Sequence, residues 1–328
     1  MKKLISLFVS LGLLALIYWQ LSRRGQLADL GRIFAECDGM WMALSLGMVV
    51  PLTLFTSWRL QQLMPHAGQL GFGEANKLIL VASVLNLVLP SKMGDIAKAW
   101  FMRDRGHLSG SLALSLVVFE KTCDMLSLLL WCVFGLLLYP AKDALFWGMT
   151  FGVSALLIFG ILLIGSARFA RYFFATAATV APAKTAAKLS TLGASWGDMH
   201  AYFWAGKTRL VTVAATSVFI WFLHLLQIWM FILALKAWAP FLANLALSPL
   251  AILAGLLPLT FAGVGTRDQA LIVFYAPYFT APTAAALGLL CTARYLLPAL
   301  GGLPFASEYL GVARRAKTAM ATPQEAAP

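Results

Sequence analysis

Three groups of ionisable or backbone-exposing residues lie inside stretches that are otherwise apolar, and their spacing limits what they can do. Glu120 and Asp124 are four residues apart, so a helix presents both on one face, and Lys121 lies three before Asp124. Two carboxylates and an ammonium placed this way can form a buried charge network that contacts a ligand, or a salt bridge that locks helix packing. A second group, Asn86, Lys92, Asp95 and Lys98, surrounds a break at Pro90 and Gly94. A broken helix frees backbone N–H groups, and the positive N-terminal end of a half-helix can receive an anion. The third group runs Gly263-Val264-Gly265-Thr266-Arg267-Asp268, with Arg294 further on as a potential neighbour. Glycine lets the backbone approach a ligand closely, and an arginine fork matches phosphate oxygens bidentately. No strand pattern precedes the glycines, so they form neither a P-loop nor a dinucleotide fingerprint.

The elements that carry these groups are helices in lipid. The 328 residues are 61% hydrophobic and 12% charged, more apolar surface than a soluble core can hide. Runs of about 20 apolar residues cross a hydrocarbon core, and in lipid every backbone polar group must pair within its own segment. The fold class expected is therefore all-α, a polytopic transmembrane bundle forming one integral domain over 1–328. Full spans are expected at 4–21, 40–58, 111–138, 145–165, 210–235 and 283–306. The stretches 76–100 and 245–280 are interrupted by Pro, Gly and charge, and each is either a re-entrant pair of half-helices or two thin spans. The start, Met1-Lys2-Lys3 and then an apolar run, lacks a small-x-small cleavage site and reads as an uncleaved span. Ionisable groups within spans cost roughly 2.5–3.5 kcal/mol each on insertion scales, so they face a bundle interior or a wet cavity.

Cys37, Cys123, Cys132 and Cys291 form no CxxC pair, and His66, His107, His200 and His224 show no ligand spacing, so neither a disulfide framework nor a metal site is indicated. No cofactor is implied. With the N-terminus inside, sixteen Lys and Arg fall in inner segments, Arg59 and Lys98 among them, and five in outer loops. Both termini are thus expected on the cytoplasmic side of a bacterial-type inner membrane. The same bias accounts for the net charge of +12 against an anionic leaflet, without nucleic acid as a partner. Residues 166–209, with Arg168, Arg171, Lys184 and Lys188 among Phe169, Tyr172, Phe173 and Phe174, read as a solvated basic loop or an interfacial helix, and 312–328 as a flexible tail. Under this topology the two interrupted stretches enter from opposite sides. Each contains Leu-Pro, then glycine, then a basic and an acidic residue, which points to an inverted repeat around a midplane site.

In order along the chain, Asn86-x-x-x-Pro90-x-Lys92-x-Gly94-Asp95-x-x-Lys98, Glu120-Lys121-x-x-Asp124, and Pro258 with Gly263-x-Gly265-x-Arg267-Asp268 resemble the lysylphosphatidylglycerol synthase transmembrane (flippase) region family, from roughly Gly39 to Glu308. That family usually has Arg and Gly-Glu in the first motif and Glu-Arg-x-x-Asp in the second. Lys92, Asp95 and Lys121 keep the charge here but change its reach, which implies a looser phosphate site or a different head group. Ala262 and Asp268 stand where Gly and Glu are common. The resemblance implies a domain that moves a polar-headed, phosphate-bearing lipid or lipid-linked intermediate between leaflets. Lys92, Lys98, Arg267 and Arg294 would attract the phosphate, and Asp95, Glu120, Asp124 and Asp268 would hold those cations or take up protons. Bifunctional members carry a soluble aminoacyltransferase domain that residues 1–328 do not include, so no synthetase activity and no catalytic residue is expected. Two rivals stand beside this reading: an intramembrane transferase acting on a lipid-linked substrate with Asp95, Glu120 or Asp124 as base, and a non-transporting partner of a membrane enzyme.

Overall fold

A computed structural model describes residues 12, 15, 19, 22, 23, 27–65, 70–88, 93–105, 108–139, 142–256 and 263–307. The first expected span, 4–21, and the tail 312–328 therefore lie almost entirely or wholly outside the described residues. The elements among the described residues are all helical: α1 Leu27–Ala35, α2 Gly39–Gly47, α3 Val49–Leu63, α4 Phe72–Val88, α5 Met93–Arg105, α6 Gly110–Leu138, α7 Ala144–Gly165, α8 Ala167–Val180, α9 Ala183–Ala205, α10 Lys207–Ala234, α11 Phe241–Leu256, α12 Thr266–Tyr275 and α13 Ala281–Ala293. After a turn at Arg294 and Tyr295 the last span continues to Ser307. Five segments among the described residues are long and apolar enough to cross a membrane: Gly39–Leu63, Leu112–Leu138, Ala144–Gly165, Lys207–Ala234 and Ala281–Ser307. They correspond to five of the six full spans expected from sequence, except that the first runs on through Arg59 to Leu63. Several helices begin where a short side chain satisfies free N–H groups. Asp38 accepts from Met40 and Trp41, Ser109 from Leu112, Asp143 from Phe146 and Ser166 from Phe169.

The apolar side chains gather in two cores. One joins α3, α4, α5, α8 and α9 to the first half of α6 through residues such as Leu60, Leu78, Phe101, Phe119 and Trp196. The other joins α7, α10, α11, α12 and α13 to the second half of α6 through Leu128, Cys132, Phe231, Leu271 and Leu287. Helix α6, 29 residues and about 44 Å long at 1.5 Å per residue, threads both, and its three charged residues fall between them. Outward faces stay greasy, as lipid contact requires: Leu137, Trp147, Phe151 and Ile158 are all exposed.

Both interrupted stretches are pairs of helices, α4 with α5 and α11 with α12, and the linkers 89–92 and 257–262 lie outside the described residues. Small residues bring the helices of each pair together. A Cβ on Gly94 would stand 2.6 Å from the Asn86 backbone nitrogen and press on the Ala82 carbonyl. A Cβ on Gly255 would stand 2.8 Å from the Arg267 Cβ, and Gly263 (φ +76°) sits against the Gly255 backbone. Residues 166–209 form two helices, α8 and α9, packed beneath α6 through an aromatic group in which Phe119 stacks on Phe203 at 4.3 Å and Phe174 meets Trp196 at 5.5 Å.

Gly94→Ala is expected to destabilise the fold by about 1–3 kcal/mol, because backbone cannot yield as a flexible side chain does. Gly152→Ala, whose Cβ would meet nothing within 4 Å, is expected to be neutral or stabilising by up to about 1 kcal/mol. Thermal unfolding of the two variants in detergent checks the contrast.

Candidate functional site

Helix periodicity places Glu120 and Asp124 on the face of α6 that looks into the bundle, as their spacing requires. Across from them α3 presents Arg59, whose fork spans the one-turn separation: Nη2 donates to Glu120 Oε1 at 2.9 Å, and Nη1 donates to Asp124 Oδ1 and to Ser217 Oγ at 2.9 Å. Asp95 and Lys98, three apart on α5, close the other side. Lys98 Nζ lies 2.7 Å from Glu120 Oε2 and 3.6 Å from Asp95 Oδ1, while Lys121 Nζ lies 3.0 Å from Asp95 Oδ2 and 3.4 Å from Asp124 Oδ2. The six charges thus form a closed ring of alternating sign: Arg59, Glu120, Lys98, Asp95, Lys121, Asp124 and back to Arg59. Every cation touches two carboxylates, and every carboxylate gives one oxygen to each of two cations. The ring is neutral, which is what lets six ionised groups share a site of low dielectric.

All six line one polar cavity of about 230 Å³, together with Thr53 and Thr56 of α3, Ser83 and Asn86 of α4, Trp221, His224 and Gln227 of α10, and Arg294, Tyr295 and Pro298 of the last span. Asn86 Oδ1 is buried there without a hydrogen-bond donor among the described residues. A second cavity, about 240 Å³, lies between α6, α11 and α12 and shares Lys121, Asp124, Trp221, Arg294 and Tyr295 with the first. A third space, about 550 Å³, runs between α6 and α7 and is lined by Leu114, Val117, Val118, Leu126, Leu156, Phe159 and other apolar groups. Asp95 and Lys121 line it as well, so one ion pair of the ring borders both the polar cavity and the apolar groove.

A family model described as lysylphosphatidylglycerol synthase TM region matches residues 3–302. The chain belongs to that family. The matched region contains every site residue from Arg59 to Arg294, and it identifies a multi-pass membrane protein. No curated protein and no solved structure matches the chain.

Of the residues expected from the sequence of this family member, Asp95, Lys98, Glu120, Lys121 and Asp124 come together in the ring. Asn86 and Arg294 line the same cavity, and Lys92 lies outside the described residues. The glycine-rich group is a neighbouring constellation. Arg267 gives Nε to Asp268 Oδ1 at 3.0 Å, and its Nη2 lies 2.6 Å from the same oxygen and 2.8 Å from both the Gly288 carbonyl and Thr292 Oγ1. Asp268 in turn caps α12 by accepting from the Gly265 N–H at 3.0 Å, where Gly265 adopts φ +95°. Gly263 and Arg267 line the second cavity, and the arginine arrives there already neutralised by its neighbour.

The sequence places Arg59 just past the expected span 40–58, in an inner segment; the helix instead continues to Leu63, so Arg59 is buried within the bundle and belongs to the ring. Leu52, Thr56, Arg59 and Leu63 are spaced four, three and four apart, a helical stripe that would have carried Arg59 inward. Ser217 and Gln227, both buried on α10, had no such signal and are known only through their partners.

Removing one ring member leaves others uncompensated, and the cost depends on burial. Glu120→Gln, at a side chain 1% exposed, is expected to destabilise by about 3–5 kcal/mol. Lys121→Gln, at a side chain 44% exposed, is expected to stay within about 1 kcal/mol of wild type. Chemical denaturation in mixed micelles measures the difference.

Proposed function

We propose that this protein moves a polar-headed, phosphate-bearing lipid or lipid-linked intermediate between the leaflets of an inner membrane. The observation that carries the reading is the junction of unlike spaces at the charge ring. A polar cavity and an apolar groove meet at Asp95 and Lys121, so an amphiphile can seat its head among charges and its chains between α6 and α7 without exposing either to the wrong solvent. The second cavity beyond Lys121 and Asp124 is mostly apolar, with Arg267 and Arg294 at its wall as cations within reach of a head group.

In this mechanism the ring is the partition between the two cavities. Each pair in it can be exchanged for a contact with the head group while neighbouring pairs persist, so passage never requires an isolated buried charge. The helix pairs α4–α5 and α11–α12 flank the site and are the elements that would rock about it. Membership of a family described by its lysylphosphatidylglycerol synthase TM region supports a lipid substrate. A transferase using one of the ring carboxylates as base has less support, since each is already held by two cations.

Purified protein in liposomes carrying a panel of head-group-labelled lipids tests the proposal. Wild type is expected to move one lipid class, and Lys121→Gln, the ring variant expected to remain folded, to slow that movement about tenfold or more. Arg267→Ala is expected to slow it as well, because it removes the cation that neutralises Asp268, the buried cap of α12. Absence of movement for every lipid by folded wild-type protein would overturn the proposal and favour a membrane-partner role.

A further inference from the structure

Arg294 is unlike the other buried cations. Arg59 and Lys98 each hold two carboxylates and Arg267 holds Asp268, whereas Arg294, 6% exposed, forms no ion pair among the described residues. Its hydrogen bonds are long and neutral: Nη1 to Gln227 Oε1 at 3.2 Å and Nη2 to Tyr295 Oη at 3.3 Å. Its Nε has no acceptor among the described residues. Gln227 is held from behind by its own Nε2, which donates to the Ser45 carbonyl at 2.8 Å, so its oxygen is aimed at the guanidinium. Arg294 occurs at the turn that interrupts the last span, and it lines both the polar cavity and the second cavity.

A guanidinium taken out of water without a counter-charge is costly, and such groups within a membrane mark ligand paths. The ring cannot supply the missing charge, because its three carboxylates are matched by its three cations. A free Nε beside a weakly engaged Nη2 is the side-on edge that donates to two oxygens of one anion. We propose that Arg294 binds a phosphate oxyanion at the junction of the two cavities, a chemistry shared by a phospholipid head group and by free inorganic phosphate. That the phosphate belongs to a lipid rests on the transport reading above; the site itself does not.

The test is equilibrium binding to the full chain in detergent, with short-chain phosphatidylglycerol, diacylglycerol of the same chain length and inorganic phosphate as probes, for wild type, Arg294→Gln and Arg294→Lys. Wild type is expected to bind the phosphatidylglycerol and not the diacylglycerol. Arg294→Gln is expected to lose about tenfold or more in affinity, and Arg294→Lys, a point charge without the fork, to fall between them. Binding of inorganic phosphate that also depends on Arg294 assigns the site to phosphate as such; Arg294-dependent lipid binding without phosphate binding assigns it to the lipid. A second readout separates a ligand site from a packing strut. Without ligand, Arg294→Gln is expected to unfold at the same temperature as wild type or higher, because a burial cost is removed, and added phosphatidylglycerol is expected to raise the wild-type midpoint only. Equal affinity of wild type and Arg294→Gln, equal binding of diacylglycerol, or destabilisation by Arg294→Gln with unchanged affinity overturns the assignment. Since no translocation is involved, wild type that binds through Arg294 yet moves no lipid keeps the site and overturns the transport reading. Wild type that moves lipid while Arg294→Gln binds normally does the reverse.

Discussion

Six ionised side chains meet between two apolar cores, and the three that are buried there, Arg59, Lys98 and Glu120, could not stay charged without partners. They coexist because the carboxylates of α5 and α6 each turn one oxygen to each of two cations, and the chain of pairs closes on itself through Arg59. Coulombic attraction in such surroundings is strong, yet it is offset by the loss of hydration, so the ring contributes registry more than net stability. It fixes the rotation of α3, α5 and α6 about their axes, since any one of these helices turned by a residue would present an apolar side chain to a charge.

That registry shapes the rest of the molecule. Helix α6 belongs to both cores, and the ring interrupts its apolar face where one core gives way to the other. The Gly94 contact draws α5 against α4 and so sets Asp95 and Lys98 at the depth of Glu120. Behind the ring, Phe119 stacks on Phe203 of α9, next in sequence to Glu120, so the packing of α8 and α9 bears directly on the most buried carboxylate. The Arg267–Asp268 pair does for α12 on a smaller scale what the ring does for α6. It satisfies a buried charge locally, and Gly288 leaves the room it needs, since a Cβ there would stand 2.6 Å from Asp268 Oδ1.

Charge balance then divides the buried cations among the described residues by role. Arg59, Lys98 and Arg267, each with a carboxylate, hold helices in place, and Arg294, without one, lines both cavities. The apolar groove between α6 and α7 supplies the complementary environment, and its border with the polar cavity is a partly exposed ring pair, Asp95 with Lys121. On the proposed transport reading, these spaces offer an amphiphile the two solvents that its halves require.

Sequence alone determined the architecture, because lipid leaves few choices. A chain that is 61% hydrophobic must hide its backbone in helices, and runs of about 20 apolar residues mark them within a few positions. The i, i+4 spacing of Glu120 and Asp124 and the i, i+3 spacing of Asp95 and Lys98 also fixed which of these residues share a face. What only the tertiary structure decided was partnership. Arg59 lies 61 positions from Glu120, and Ser217 lies 158 from Arg59, separations across which no local periodicity speaks. Nothing in the residue types of Arg59, Arg267 and Arg294 distinguishes a cation held by two carboxylates, one held by its neighbour and one left open. Their difference is a matter of which helices pack together, and for a buried charge that is the difference between holding the fold and receiving a ligand.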